Sequence, residues 1–185
     1  EGQHLWSLEP RYPDPEPQPG NSFEQNLYGL ADAMFGALHP KHPDFDPRLT
    51  RKPVTPRELR TAYEWIGRAM ADGSRRVVVD RHHLDTVRRI VHGLGLGEVH
   101  DGPLNLTNEW RIRINQKAAE DKAGTDLAVE DIRRWITELG YTGLDKNIAN
   151  LVIATYALLD DRTWVYQTQV LQQPPELERI GQGYG

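Results

Sequence analysis

Residues 55–106 read TPRELRTAYEWIGRAMADGSRRVVVDRHHLDTVRRIVHGLGLGEVHDGPLNL, and their punctuation decides the fold. Thr55-Pro56-Arg57-Glu58 puts an N-cap threonine before a proline at the first helical position, with a glutamate that closes a capping box. A helix therefore begins here. Its stripe is Leu59, Ala62, Tyr63, Ile66, Ala69 and Met70, and Gly73 is placed as a left-handed C-terminal cap. Val77-Val78-Val79, three β-branched residues after a turn, reads as a short strand. Asp80 can cap a second helix, whose stripe is Leu84, Val87, Ile90, Val91 and Leu94. Glu98-Val99-His100 and Leu104-Asn105-Leu106 then flank Asp101-Gly102, a dipeptide that tolerates the positive φ angles of a tight hairpin turn. Pro103 makes the second arm an edge strand at best.

Working outward, Ser22 and Gln25 have capping-box spacing, and Phe23, Leu27, Leu30, Ala31, Met34, Phe35 and Leu38 form one helical stripe behind them. His39-Pro40 ends that helix, and three prolines in the eight residues 40–47 make the next segment loop. Residues 1–20 hold prolines at 10, 13, 15, 17 and 19 and read as a linker or arm. On the other side, Thr107 begins a helix through about Lys122, with Trp110, Ile114 and Ala118 on one face and Gly124 closing it. Another carries Leu127, Val129, Ile132, Trp135, Ile136 and Leu139 and ends at Gly140. Asp145 caps Lys146 to Leu159, which is apolar on nearly every side and so belongs at the centre. Thr163 to Leu171 is either a strand or a packed extended tail. The expected fold is mainly α, about six helices with a small two- or three-stranded β element. The order helix, strand, helix, hairpin makes 55–106 winged-helix-like, with one helix fewer than expected between the first strand and the hairpin. The expected organisation is a proline-rich arm at 1–20, a helical subdomain at 21–106 and a second at 107–185.

The 185 residues carry 22 Lys+Arg against 27 Asp+Glu, a formal charge of -5, which argues against a coat for nucleic acid or anionic membrane. The absence of cysteine excludes disulfides, thiolate zinc sites and a cysteine nucleophile, and suits a reducing cytoplasm. The longest apolar run, Ile148 to Leu159, is shorter than the roughly 20 residues that span a bilayer. The first residue is Glu1 and the last five are Gly181-Gln182-Gly183-Tyr184-Gly185, which reads as a piece of something longer.

Motifs that carry chemistry are missing. The stretch Gly140 to Lys146 lacks the spacing and the Ser or Thr of a phosphate-binding loop, and no dinucleotide fingerprint, G-x-S-x-G or H-E-x-x-H occurs. His39-x-x-His42-x-Asp44-x-Asp46 offers donors for a divalent ion, but a proline-stiffened loop with local Asp turns explains it more simply. Asp80-Arg81-His82-His83-x-Asp85 offers an acid–base pair, but capping and first-turn charges account for it without a nucleophile nearby. No catalytic, cofactor-binding or metal residue is therefore assigned. The stretch 75–92 is locally basic through Arg75, Arg76, Arg81, Arg88 and Arg89, and these are the candidate residues for duplex DNA. A solvated face opposite the Leu84–Leu94 stripe is the plainer reading. Trp65, Trp110, Trp135 and Trp164 are expected in the core or at its boundary.

Several stretches carry a resemblance. His39-Pro40-Lys41-His42-Pro43-Asp44-Phe45, Val77-Val78-Val79-Asp80-Arg81 leading to Arg88-Arg89-Ile90, Leu94 to His100, and Trp110-Arg111-x-Arg113-Ile114 are the first of these. Asn147 to Ile153 and Asp161-Arg162-Thr163-Trp164 complete the set. Together they resemble the C-terminal part of the large P-loop ATPases of phage-resistance systems, of the phage growth limitation and BREX type. The resemblance covers about residues 39–165. It implies a cytoplasmic parent that uses ATP and magnesium alongside a methyltransferase, a phosphatase-like protein and, in the growth-limitation version, a kinase. For this piece the resemblance leaves an accessory region, and the absence of any chemical motif beside several well-capped amphipathic helices makes a non-catalytic domain that contacts other regions or subunits the leading expectation. Duplex DNA is the alternative partner.

Overall fold

The capping box read at Thr55 is formed in full. Thr55 Oγ1 accepts the Glu58 N–H at 3.3 Å, while Glu58 Oε2 accepts the Thr55 N–H at 2.9 Å. The helix it opens is α2, Pro56–Ala71, second in a computed structural model that describes residues 22–46, 52–71, 73–181 and 183–185. The proline-rich arm expected over 1–20 lies outside the described residues.

After α2, Gly73 takes φ +73 and the chain enters β1, Arg76–Val78. Helix α3, Leu84–Gly93, follows a turn closed by the His83 N–H on the Asp80 carbonyl. Asp80 is thus one turn too early to cap α3, whose N-cap position is His83. Strands β2, Gly97–Val99, and β3, Pro103–Leu106, form the expected hairpin, with Asp101 and Gly102 both at positive φ. The three strands are antiparallel in the order β1-β3-β2, with Val77 opposite Leu104 and Leu104 opposite Val99.

The second hairpin arm is therefore the central strand and not an edge. Pro103 is tolerated because it stands first in β3, where its missing donor removes one bond at the hairpin mouth and its carbonyl still accepts from His100 at 3.2 Å. Gly97 has a sharper requirement: a Cβ there would lie 2.5 Å from the Asn105 carbonyl oxygen.

The remaining helices are α4, Glu109–Glu120, α5, Val129–Glu138, and α6, Lys146–Leu159. Asp145 caps α6 through the Asn147 N–H at 2.8 Å. Gly124 does not close α4, which ends earlier in a reversal at Lys122, φ +52, with the Ala123 N–H on the Ala118 carbonyl. Helix α6 is central as expected: 11 of its 14 residues are buried, and it packs on α2, α4, α5 and the 3-10 turn Leu177–Arg179. Its one buried amide, Asn150, accepts from Arg133 Nη2 at 2.9 Å and donates to the Leu177 and Ile180 carbonyls at 2.6 and 3.1 Å. Those bonds tie the chain beyond residue 176 to the core.

Residues 163–171, expected as one strand or tail, form instead a hairpin of β4, Val165–Tyr166, and β5, Gln169–Val170. Six helices, the three-stranded sheet and this two-stranded one are the elements of a mainly helical fold among the described residues.

The chain divides into two compact units. Elements α2 to β5 all belong to the unit made of Pro43–Leu139 and Leu144–Gly185. The other holds α1, Phe23–Leu38, with Gly140–Gly143. Its helix is capped by Ser22 Oγ on the Gln25 N–H at 3.2 Å. His39 Nδ1 meets Thr142 Oγ1 at 2.8 Å, over Gly143 at φ +75, where a Cβ would lie 2.9 Å from the ring.

Candidate functional site

The five arginines of 75–92 do not share one free face. Arg75 Nη1 donates to Asn108 Oδ1 at 2.6 Å. Arg88 is half-buried, donates from Nε to the Val99 carbonyl at 3.3 Å and pairs with Asp85 at 3.6 Å. Arg89, only 18% exposed, binds Glu58 Oε1 at 2.6 Å and reaches the Lys52 carbonyl at 3.5 Å. Burial alone would raise the Glu58 carboxyl, but the Thr55 N–H and hydroxyl and the Arg89 guanidinium outweigh it and hold Glu58 below the ordinary carboxylate range. Arg76 and Arg81 are exposed and form no ion pair among the described residues.

The outer face of α3 is of mixed charge. Phe45 is buried against Gly93, where a Cβ would approach the Asp44 carbonyl to 3.0 Å and the Phe45 ring to 3.2 Å. A shallow depression of about 380 Å³ results, in which Asp44, Asp46, Glu58 and Asp85 stand around Arg88 and Arg89. Lys52 and His92 line it too, so four carboxylates stand against three Lys and Arg cations and a histidine, a mixed surface with no coherent positive face for a phosphate backbone.

The other clusters read from the sequence are used locally. His42 lies edge-on to Phe35, with ring centroids 4.8 Å apart, His39 bonds Thr142, and Asp44 Oδ1 accepts the Asp46 N–H at 2.8 Å. Among the described residues no three His, Asp or Glu side chains are grouped to hold a metal. His83 Nδ1 accepts the Trp65 indole N–H at 3.2 Å. The four expected core tryptophans, Trp65, Trp110, Trp135 and Trp164, are all buried.

A second concavity lies elsewhere. A cleft of about 750 Å³ opens between the start of α5, the C-terminal half of α6 and the β4–β5 hairpin. Its apolar wall comes from Leu127, Val129, Ile132, Ala157, Trp164 and Val170, and Val170 is 60% exposed. Tyr184 folds over Tyr166 with ring centroids 4.8 Å apart and stands edge-on to Trp164 at 6.3 Å.

Behind the cleft lies a polar cluster centred on Asp160, whose side chain is 9% exposed. Arg111 and Arg162 each donate Nε to it at 2.7 Å, and Asn115 Nδ2 donates at 3.0 Å. Burial would raise the Asp160 carboxyl, but these bonds and the Arg162 charge prevail and hold it below its ordinary value. The cluster fixes Arg162 at the cleft edge, where Nη1 also holds the Thr125 carbonyl at 2.7 Å. Sequence reading found neither cleft nor cluster. The single available signal was the polar run Asp160-Asp161-Arg162 directly after an all-apolar helix.

A family model described as the BREX System ATPase PglY protein 5th domain matches residues 57–157. The chain belongs to this family. The match runs from the first turn of α2 to the last turn of α6, so it takes in the arginine segment, the sheet and the helical wall of the cleft. As a BREX PglY domain the chain is a component of a phage-defence system, in line with the resemblance carried by residues 39–165. No solved structure matches it. No helix among the described residues is long and apolar enough to cross a membrane.

Proposed function

We propose that this PglY domain is a non-catalytic accessory module of a cytoplasmic defence ATPase, working by contact with another region or subunit of the defence complex. The contrast between its two surfaces carries the reading. The α3 arginines, Arg88 and Arg89, are spent on partners within the fold in a depression of mixed charge, whereas an apolar cleft with an exposed valine stands open. ATP and magnesium then belong to the parent's P-loop, a motif absent from residues 1–185. Duplex DNA is the second reading, favoured by the order α2, β1, α3, β2, β3 and by exposed Arg76 and Arg81.

Excising these residues from the parent ATPase tests the accessory role. ATP hydrolysis is expected to persist while phage protection is lost. A fall of hydrolysis to the level of a P-loop lysine mutant would overturn it.

A further inference from the structure

The hairpin beside the cleft presents an unused strand edge. Val165 exchanges both of its bonds with Gly185, N–H to carbonyl at 2.8 Å and carbonyl to N–H at 3.0 Å. It is therefore the non-hydrogen-bonded partner of Val170, whose own N–H and carbonyl point away from β4. Strand β5 pairs with no other strand among the described residues. Val170 thus brings a free donor, a free acceptor and an exposed apolar side chain to the rim of an apolar cleft.

The charge around that rim is one-sided. Asp126, Glu130 and Asp161 are exposed on the lining and form no ion pair among the described residues. Arg162 is the lining's cation, and two of its donors are held, Nε by Asp160 and Nη1 by the Thr125 carbonyl. The hairpin turn is strained as well, with Gln167 at φ +46 and Thr168 at φ +75, a region that a β-branched residue rarely enters. Strain of this kind persists where surrounding structure enforces it, and it gathers at binding sites.

We propose that β5 and the adjoining cleft receive an extended segment of a partner protein. The segment adds a strand through Val170, seats an apolar side chain in the cleft, and sets Lys or Arg against Asp126, Glu130 and Asp161. This rests on reading the domain as a protein-contact module and supplies the chemistry of the partner. Strand addition gives affinity through main-chain bonds, while the cleft and the carboxylates select side chains.

The test uses the 185-residue chain and three labelled heptapeptides, read by fluorescence anisotropy. One has Leu-Val-Leu flanked on each side by two lysines, one is flanked by two glutamates, and the third is the lysine peptide N-methylated at its central valine. The lysine peptide is expected to bind, the glutamate peptide not to, and N-methylation to weaken binding about tenfold by removing a strand donor. Val170→Pro is expected to weaken it similarly while leaving the fold intact, because the Val170 N–H has no partner within the hairpin. Glu130→Lys with Asp161→Lys is expected to reverse the preference between the two charged peptides. No binding of the lysine peptide up to about 1 mM overturns the proposal. So does equal binding of the lysine and glutamate peptides, or indifference to N-methylation, a readout that leaves the protein unaltered. Failure here leaves the accessory role standing, since that role falls only if excision stops ATP hydrolysis.

Discussion

Replacing Asp160 by asparagine removes the charge that holds α4 and α6 to the loop leading to β4. In the native chain the carboxylate takes two guanidinium bonds of 2.7 Å and an amide bond of 3.0 Å. Bonds to charged groups contribute about 1.5–3 kcal/mol each when buried. Arg111 and Arg162 are 42% and 35% exposed and can rehydrate, so about 1 kcal/mol apiece is the fairer figure. With the misplaced amide donor facing Arg or Asn115, Asp160→Asn is expected to cost about 2–3 kcal/mol at pH 7. The effect carries a pH signature. Because the folded carboxyl sits below its ordinary value, its contribution is complete above the unfolded value of about 3.9 and is lost as pH falls through the depressed one. Urea unfolding of both proteins, followed by tryptophan fluorescence from pH 7 down to the lowest pH that keeps them folded, should show the gap narrowing in acid. A gap below about 0.5 kcal/mol at pH 7, or one that does not change with pH, would refute the reasoning.

Asn150→Ala leaves the Ile180 carbonyl and Arg133 without a partner and leaves the Leu177 carbonyl only the long Ile180 N–H bond of 3.4 Å, and is expected to lower stability by about 2–4 kcal/mol in the same urea assay and to loosen the residues after 176 toward proteolysis. Gly97→Ala pushes a methyl into the Asn105 carbonyl and should cost at least about 2 kcal/mol, seen as a lowered melting temperature with lost protection of the β2–β3 amides. Thr168→Gly relieves a left-handed β-branched residue and should stabilise the fold by about 0.5–1 kcal/mol, read as a higher urea midpoint.

The elements that were legible from sequence are those whose signals are local. Thr55 and Glu58 announce α2 because both halves of a capping box lie within four residues, and Asp101-Gly102 announces its hairpin for the same reason. The β4–β5 turn escaped notice because Gln167 and Thr168 adopt left-handed angles that neither residue type advertises. Pro103 misled about strand order because the cost of a proline depends on which side of the strand its missing donor would face, a property of the sheet and not of the residue. The arginines were visible as charge, but their fates were not. Glu58 lies 31 positions from Arg89 and Asn108 lies 33 from Arg75, and only the folded chain brings each pair together. The cleft is assembled from residues near 127, 157, 164, 170 and 184, and none of those stretches carries a motif.

The central proposal is that Arg75, Arg88 and Arg89 serve partners within the fold, so that the basic run of 75–92 is not a DNA-binding face. Its most direct test compares the parent chain with Arg89→Ala in two assays: urea unfolding, and binding of a labelled duplex at about 50 mM and about 200 mM salt. The account predicts no salt-sensitive duplex binding by either protein, and a loss of about 1–2 kcal/mol of stability in the variant as Glu58 loses its partner. Salt-sensitive binding by the parent that the variant loses, at unchanged stability, would contradict it.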